Sequence, residues 1–451
     1  MFHVKQSPHI LLINPWVTDF AAYNLWVRPL GLLRIGSFLR NRGFRISLID
    51  CLDFYSKKRG YGAGKFFRTK IPKPDPLKTI PRNYCRYGIT EEMLGKRLST
   101  TEKPDLIGIT SGMTYWYPGL FKTIQIVKSF FNDTPVILGG IYATLCYDHA
   151  VQFSGADFVI QGSGEIEFLK IVGKFSDQNK LSDFKLQTLT SELKTLYPPY
   201  PCYDLYPQLD FVSMSTSKGC PFQCSYCASQ IIDKGYFRRD PQDVVEEINY
   251  WTTRYGVQHI AFYDDALLIG SRTHLVPILE GILSKGLRCD FHVPNGLHVR
   301  EINAEVADLL FRTRFKTIRL GFETSNEKEQ AETGGKVTNQ EFQVAIRNLR
   351  KAGYSPQEIG VYLLVGMPGQ RVNEAEESIA YSQELGVRPM LVEYSPVPGT
   401  PIFKKAMKLS SFDIQNEPLF HNNSILPCQW EGFSLTDYRK LKEMANKGLC
   451  T

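Results

Sequence analysis

The feature that most constrains this chain is a repeated alternation of short apolar runs with amphipathic segments. The alternation fills the first ~175 residues and returns from about residue 208 to about residue 407. It predicts parallel strands covered by helices, because two parallel strands need a crossover connection of a dozen or more residues. At roughly 100–200 residues per domain, 451 residues also leave room for two or three domains. The chain is therefore predicted to be an α/β protein with more than one domain.

The strand candidates divide into two groups. The first group is His9–Asn14, Arg45–Asp50, Asp105–Thr110, Val136–Gly140 and Phe158–Gly162. The second group is Phe211–Thr216, His259–Tyr263, Asp290–Pro294, Thr317–Phe322, Gly360–Val365 and Leu391–Tyr394. We predict a Rossmann-like, doubly wound domain over residues 1–175 and a partial (βα)6 barrel, of the TIM-barrel type, over residues 208–407.

Three further segments complete the predicted organisation. Residues 54–87, rich in Lys, Arg, Pro and Gly, are predicted to be an insertion in the first domain, and we assign them no function. Residues 176–207 are predicted to be an extended linker, because prolines between Tyr197 and Tyr203 exclude a helix there. Residues 408–451 are predicted to be a helical extension with a helix at Leu435–Lys447.

Composition narrows the class of protein. The hydrophobic fraction of 43% and charged fraction of 22% are those of a folded globular chain, and the net charge of +7 is spread along it, so nucleic-acid binding is not indicated. No apolar stretch approaches a membrane span or a signal peptide, which predicts a cytoplasmic protein. The ten cysteines should then be mostly reduced, and a close cluster of them indicates a metal site.

Three of the cysteines form such a cluster. Cys220, Cys224 and Cys227 have the spacing C-x3-C-x2-C on a loop containing Gly and Pro, directly after a predicted strand. Structural zinc requires four protein ligands, whereas three thiolates suit a [4Fe–4S] cluster whose fourth iron stays open. Two alternatives remain: a zinc site completed by a distant Cys202 or His, and three buried thiols without metal.

The cysteine motif resembles that of the radical S-adenosylmethionine (SAM) enzymes, C-x3-C-x-aromatic-C at the end of the first barrel strand, with Tyr226 in the aromatic position. The resemblance implies that the open iron binds SAM, which a cluster electron cleaves to a 5′-deoxyadenosyl radical. It also implies that Tyr226, Asp265, Asn295 and Glu323 line SAM. One departure is Asp264-Asp265 in place of a Gly-Gly-Glu-like stretch, and two exposed acids capping a strand are the alternative interpretation.

The first domain is similar to the cobalamin-binding domain that precedes the barrel in B12-dependent radical SAM enzymes. The similarity lies in loops at predicted strand ends, and it implies cobalamin contacts at Ser111, Thr114, Gly139, Gly140, Tyr142, Gly162, Gly164 and Glu165. No G-x-G-x-x-G follows the first strand, which disfavours a dinucleotide. The Asp-x-His-x-x-Gly motif of other B12 proteins is also absent, and a domain that keeps the fold without binding corrinoid is the alternative.

These resemblances imply a cobalamin-dependent methyltransferase acting on an unactivated carbon, with a low-potential flavodoxin or ferredoxin as electron donor and a small molecule or peptide as substrate. An alternative is a radical SAM enzyme that catalyses a rearrangement or cyclisation, with the B12 domain used differently or vestigial. A noncatalytic corrinoid or metal sensor is a third hypothesis. Neither the insertion nor the C-terminal extension indicates which substrate is bound.

Overall fold

The chain divides into two compact units, Met1–Gln208 and Leu209–Thr451. The structure is a computed structural model that describes residues 7–56, 62–175, 200–430 and 432–447. Residues 176–199 of the predicted linker and residues 448–451 of the predicted extension lie outside the described residues. Within the described ranges, no helix is both long enough and apolar enough to cross a membrane.

The first unit alternates strands and helices. Its strands are β1 (His9–Asn14), β2 (Val17–Asp19), β3 (Arg45–Asp50), β4 (Tyr55–Ser56), β5 (Lys65–Phe66), β6 (Arg68–Lys70), β7 (Cys85–Tyr87), β8 (Leu106–Ile109), β9 (Val136–Leu138) and β10 (Phe158–Val159). Its helices are α1 (Leu30–Arg40), α2 (Glu91–Thr100), α3 (Tyr117–Phe130), α4 (Ile141–Leu145), α5 (Tyr147–Phe153) and α6 (Gly164–Phe175).

The centre of this unit is a parallel sheet in the order β10-β9-β8-β1-β3. Side chains of β1 alternate between its faces: Ile10 and Leu12 join the apolar cluster under α1 and α6, and Leu11 and Ile13 join the cluster under α2 and α3. The strand order is the doubly wound, flavodoxin-like one, which places the ligand crevice between the carboxyl ends of β1 and β8. The predicted Rossmann-like architecture is confirmed.

The insertion forms the small antiparallel sheet β4-β5, and its strands β6 and β7 complete a second antiparallel sheet with β2 in the order β2-β7-β6. Residues 200–207 differ from the extended linker that the prolines predict, because they pack on the first unit. The Cys202 amide donates to the Leu33 carbonyl at 3.2 Å, and the Tyr206 hydroxyl donates to the Asp50 carboxylate at 2.6 Å. Proline prevents a helix, but it does not prevent an irregular segment from packing against other residues. The prolines therefore did not predict whether this segment is buried.

The second unit continues the alternation. Its strands are β11 (Phe211–Met214), β12 (Ser217–Lys218), β13 (Phe237–Arg238), β14 (His259–Phe262), β15 (Asp290–His292), β16 (Leu297–His298), β17 (Phe315–Glu323), β18 (Ile359–Val365) and β19 (Arg388–Glu393). Its helices are α7 (Ser229–Ile232), α8 (Pro241–Tyr255), α9 (Leu275–Ser284), α10 (Ala304–Arg312), α11 (Glu327–Glu332), α12 (Asn339–Ala352), α13 (Val372–Glu384), α14 (Phe403–Leu409) and α15 (Leu435–Lys447).

The principal sheet of this unit is parallel, in the order β11-β14-β15-β17-β18-β19, with β16 paired to β17. The order follows the chain, and within the described residues the end strands β11 and β19 do not pair with each other, as in a partial barrel. Phe262, Phe291 and Phe315 from three adjacent strands stack with ring centroids 5.2–5.8 Å apart. All carboxyl ends of these parallel strands lie at one edge, where barrel enzymes carry their active sites.

The C-terminal extension packs against the last barrel elements. Gln383 of α13 donates to the Met444 carbonyl of α15 at 2.9 Å, and the Tyr438 hydroxyl bonds the Glu393 carboxylate at the end of β19. Cys428 belongs to an apolar cluster against which Tyr226 of the cysteine loop packs. The extension therefore supports the carboxyl edge of the barrel.

Candidate active site

The three clustered cysteines lie on a loop after β11. Cys220 is buried, Cys224 is half-buried and Cys227 is exposed. At the start of the loop, Gly219 has φ +76°, and a Cβ there would lie 2.0 Å from the Gly235 carbonyl oxygen, so only glycine fits. Burial, together with the nearby Cys224 and Cys227, raises the pKa of the Cys220 thiol to about 11. The three side chains therefore share one neighbourhood.

The two acids after β14 hold different parts of this loop. The Asp264 carboxylate is buried and accepts hydrogen bonds of 2.6–2.9 Å from the amides and hydroxyls of Thr216 and Ser217, which lead into the loop. Asp265 accepts a 2.8 Å bond from the Ser229 hydroxyl, whose oxygen lies 3.2 Å from the Cys227 sulfur. The interpretation of both as exposed acids is wrong for Asp264, which is 3% exposed. Asp264 supports the loop, and Asp265 borders it.

Asn295 lies at the end of the neighbouring strand β15. Its Nδ2 donates to the Tyr263 carbonyl at 3.1 Å, and the side chain is exposed. Because Tyr263 precedes Asp264 and Asp265, this bond joins the ends of β14 and β15. The structure thus brings Asp265 and Asn295 to adjacent strand ends on the cysteine side of the barrel edge.

Glu323 ends β17 in an unusual backbone conformation. Its φ is +70°, in the left-handed region that favours glycine, and the pairing of β17 with β18 shifts register between Gly321 and Glu323. Such a conformation costs of order 1–3 kcal/mol and persists where surrounding structure holds it, often at a functional site. Here the Glu323 carboxylate forms an ion pair with Lys336, and both side chains are mostly buried.

A short segment, Thr333–Lys336, crosses over the cysteine loop; we call it the Thr333–Lys336 strap. The Ser225 amide donates to the Thr333 carbonyl at 3.2 Å. A Cβ on Gly334, whose φ is +132°, would lie 3.1 Å from the Cys224 Cα and 3.2 Å from its sulfur. The ammonium of Lys336 lies 5.9 Å from the centre of the Tyr226 ring. The strap therefore brings a cation to the loop, between Glu323 and Tyr226.

Tyr226 and Glu323 also line one cavity of about 440 Å³. Its other walls come from the loops after β17 and β18 and from the segment before α14, including Thr324, Met367, Gly369, Gln370 and Ile402. Pocket volumes of ~300–1,000 Å³ are usual for small ligands and cofactors. Two of the four residues that the sequence predicts to line SAM thus face one cavity.

The strand-end loops of the first unit are bound to one another. The Ser111 hydroxyl donates to the Gly139 carbonyl at 2.7 Å, and the Gly162 amide donates to the Thr144 hydroxyl at 3.0 Å. Gly140 has φ +98°, and a Cβ there would lie 2.4 Å from the Ser111 carbonyl oxygen. In contrast, a Cβ on Gly139 or Gly162 would meet no atom within 4 Å. The backbone at Gly139 and Gly162 therefore borders open space at the carboxyl edge of this sheet.

Several residues predicted to contact cobalamin also have structural contacts within the first unit. Tyr142 is fully buried, and its hydroxyl forms a 2.6 Å hydrogen bond with the His149 Nδ1. A Cβ on Gly164 would lie 3.0 Å from Ile35 of α1. Thr114 is buried at the start of a 3-10 turn. Glu165 lies in the first turn of α6, where its charge favours the helix dipole.

Comparison with known proteins agrees with both units. The sequence model of the Radical SAM superfamily matches residues 214–381, and that of the B12 binding domain matches residues 96–172. The chain is a radical SAM enzyme with a B12-binding domain. An uncharacterized methyltransferase from Pyrococcus horikoshii is 23% identical to this radical SAM enzyme over 369 residues, which are 76% of each chain.

Two further similarities concern function and fold. An anaerobic magnesium-protoporphyrin IX monomethyl ester cyclase from Rubrivivax gelatinosus is 23% identical over 72% of this enzyme and 63% of the cyclase. The solved structure of the radical SAM methyltransferase TsrM from Kitasatospora setae superposes with a TM-score of 0.66 at 16% identity, over 90% of this enzyme and 78% of TsrM. At that identity, the superposition supports the fold alone.

The cysteine donors suit the cluster that radical SAM enzymes use. Among the residues that the structure describes, no three His, Cys, Asp or Glu side chains are gathered closely enough to hold a single metal ion. A [4Fe–4S] cluster takes each thiolate on a different iron, so three sulfurs spread over one loop fit its chemistry. Cys220, Cys224 and Cys227 are the residues that would hold it.

Sequence reasoning missed the residues that surround this loop. Lys336 follows two glycines in the connection between α11 and α12, and this Gly-Gly-Lys segment was the sequence signal for the strap. His298 is a second such residue: its ring stacks on Phe222 of the cysteine loop with centroids 5.1 Å apart. Lys336 and His298 lie far from the cysteine loop in sequence. The spacing of the cysteine motif therefore does not reveal that they contact or border the loop.

Proposed function

We propose that this radical SAM enzyme is a cobalamin-dependent methyltransferase that acts on an unactivated carbon of its substrate. The observation that carries the proposal is the three-cysteine loop at the carboxyl edge of the barrel, fixed by Asp264 on one side and by the Thr333–Lys336 strap on the other. These contacts leave the sulfurs available as ligands. The methyltransferase among its relatives, similar over three quarters of each chain, supports the same reaction.

The residues of the barrel edge would bind and orient SAM. Tyr226 and Glu323 would line the nucleoside portion in their shared cavity, and Asp265 and Asn295 would border the end nearer the cysteines. The pair of Glu323 and Lys336 fixes the carboxylate in one orientation. When bound, the cluster supplies the electron that cleaves SAM, and the corrinoid supplies the methyl group.

The first unit would hold cobalamin over its strand-end glycines. Gly139 and Gly162 offer backbone next to open space, at the edge where the strand order predicts a ligand crevice. Ser111 and Thr144 keep these loops together rather than meeting the ligand with free hydroxyls. The corrinoid would therefore be recognised mainly by shape and backbone amides.

A second candidate function is a radical rearrangement or cyclisation. Similarity to the magnesium-protoporphyrin IX monomethyl ester cyclase favours this candidate. That cyclase is 23% identical over 72% of this chain, close to the values for the Pyrococcus methyltransferase. The products distinguish the two. Methyl transfer yields S-adenosylhomocysteine together with 5′-deoxyadenosine, whereas cyclisation yields 5′-deoxyadenosine without S-adenosylhomocysteine. A noncatalytic sensor would cleave SAM no more than once.

We also propose a cytoplasmic location, a small-molecule or peptide substrate, and a low-potential flavodoxin or ferredoxin as reductant. The test is anaerobic purification followed by iron and sulfide counts, corrin absorption and product analysis under dithionite. About four irons per chain, bound cobalamin and multiple-turnover formation of S-adenosylhomocysteine are expected. A preparation that binds iron and SAM but forms only 5′-deoxyadenosine would contradict the methyltransferase proposal.

A further inference from the structure

Lys336 is mostly buried beside the cysteine loop. Its side chain is 18% exposed, although lysine is rarely buried without a partner. The Glu323 carboxylate forms an ion pair with the Lys336 ammonium, which favours the charged form of the lysine. The ammonium group is therefore charged at neutral pH.

The backbone around Lys336 leaves it little freedom to move away. Thr333, at the start of the strap, accepts the Ser225 amide, and Gly335 accepts a 2.8 Å hydrogen bond from the Arg300 guanidinium. A Cβ on Gly321 would lie 3.3 Å from both the Lys336 ammonium and the Glu323 carboxylate, so this glycine leaves room for the pair. These contacts fix the strap beside the cysteine loop, and Glu323 holds the ammonium group there.

We infer that Lys336 is a positioning residue whose fixed positive charge beside the cysteine loop raises the reduction potential of the cluster bound there. A cluster with three thiolates gains one more negative charge on reduction, and nearby charge is one of the factors that set its potential. A cation held in a mostly buried site acts strongly, because solvent screens it little. The inference rests on the proposed function, since it requires a cluster on Cys220, Cys224 and Cys227.

Glu323 belongs to the same electrostatic unit. Its carboxylate offsets part of the Lys336 charge, so removing only the lysine leaves an uncompensated negative charge near the cluster. Removing both charges leaves the net charge as it is in the wild type. The double variant therefore separates the effect of charge from the loss of side-chain shape.

The experiment is a reductive titration of the anaerobic, cluster-loaded full chain without SAM, followed by electron paramagnetic resonance. We expect Lys336→Gln to lower the reduced fraction at a fixed potential about tenfold, which is 59 mV for one electron. Lys336→Arg should stay near the wild type, and Glu323→Gln with Lys336→Gln should recover most of the loss. Lys285→Gln is the matched control, because it breaks a 3.0 Å lysine–glutamate pair at the end of α9 and should not change the potential.

Iron and sulfide counts separate the possible failures. A wild-type chain that binds no iron contradicts the proposed function itself. A Lys336→Gln variant that holds the cluster at the wild-type potential overturns the inference and leaves the proposed function standing. If Lys336→Gln does not load, Lys336→Arg decides: loading at the wild-type potential supports the charge role, and a loss equal to that of Lys336→Gln overturns it.

Discussion

Each unit has a buried carboxylate at or just beyond the carboxyl end of a parallel strand, and the two carboxylates have different roles. Asp50 ends β3 and accepts bonds from Asn14 and Tyr206, so it joins loops of the first unit to one another. Asp264 follows β14 and holds the backbone that leads into the cysteine loop. In the first unit, the Asp50 carboxylate and its donors connect the loops at the sheet edge. In the second unit, the Asp264 carboxylate and its donors fix the cysteine loop, whose sulfurs are the proposed cluster ligands. Ligand recognition is expected to depend on shape in the first unit and on side-chain chemistry in the second.

The largest expected effect follows from replacing the three sulfurs. The triple variant of Cys220, Cys224 and Cys227 to Ala should lose the bound iron and all SAM cleavage, because no donors remain for the cluster. Corrin binding should persist, since it depends on the other unit. Iron counts, 5′-deoxyadenosine formation and corrin absorption check these outcomes.

Cys289→Ala is the control for this variant. Cys289 is buried at the start of β15, outside the cysteine loop, and its loss should leave the iron content unchanged. Full iron content in the triple variant would show that other residues bind the metal. Loss of corrin binding in the triple variant would contradict the separation of the two recognition modes.

The next effect concerns the carboxylate that supports the loop. Asp264→Ala should destabilise the second unit by about 3 kcal/mol or more, because several buried donors on Thr216 and Ser217 lose their acceptor at ~1–3 kcal/mol each. Iron loading should fall with it. Hydrogen exchange at the amides of Thr216 and Ser217, with Asp265→Ala as the comparison, checks the local effect. Slow exchange at these amides in Asp264→Ala would contradict the supporting role.

The sequence predicted the elements of both units far better than the surroundings of the site. Leu435–Lys447 was placed at its observed ends, and the strands differ by a few residues, since apolar periodicity reports which positions face a core. The cysteine motif is local in sequence, so it could be identified before any fold was known. Lys336 and His298 approach the same loop from other connections, and only the folded backbone brings them there.

Buried imidazoles give an expected pH dependence in the second unit. Burial lowers the pKa of His292 to about 3, so the folded state binds its proton at much lower pH than the unfolded state, whose value is near 6.5. The stabilisation is fully present above pH 6.5 and is lost as the pH falls toward 3, by at most about 1.4 kcal/mol per pH unit. His292→Asn should therefore show a weaker decline between pH 6.5 and 5. Hydrogen exchange in β15 and β17, corrected for intrinsic rates, measures how stability changes with pH. Equal slopes of stability against pH in the wild type and in His292→Asn would contradict the prediction.

The smallest expected effect tests recognition by shape in the first unit, using two adjacent glycines. Gly139→Ala places a methyl group in open space, so the free energy of unfolding should change by no more than about 0.5 kcal/mol. If a corrin covers this backbone, the same methyl group should weaken its binding severalfold, as followed by corrin absorption. Gly140→Ala is the matched contrast, because its Cβ would lie 2.4 Å from the Ser111 carbonyl at φ +98° and should destabilise the unit itself. Unchanged corrin affinity in Gly139→Ala would place the ligand elsewhere on the first unit, and equal stability of the two variants would contradict the tight packing at Gly140.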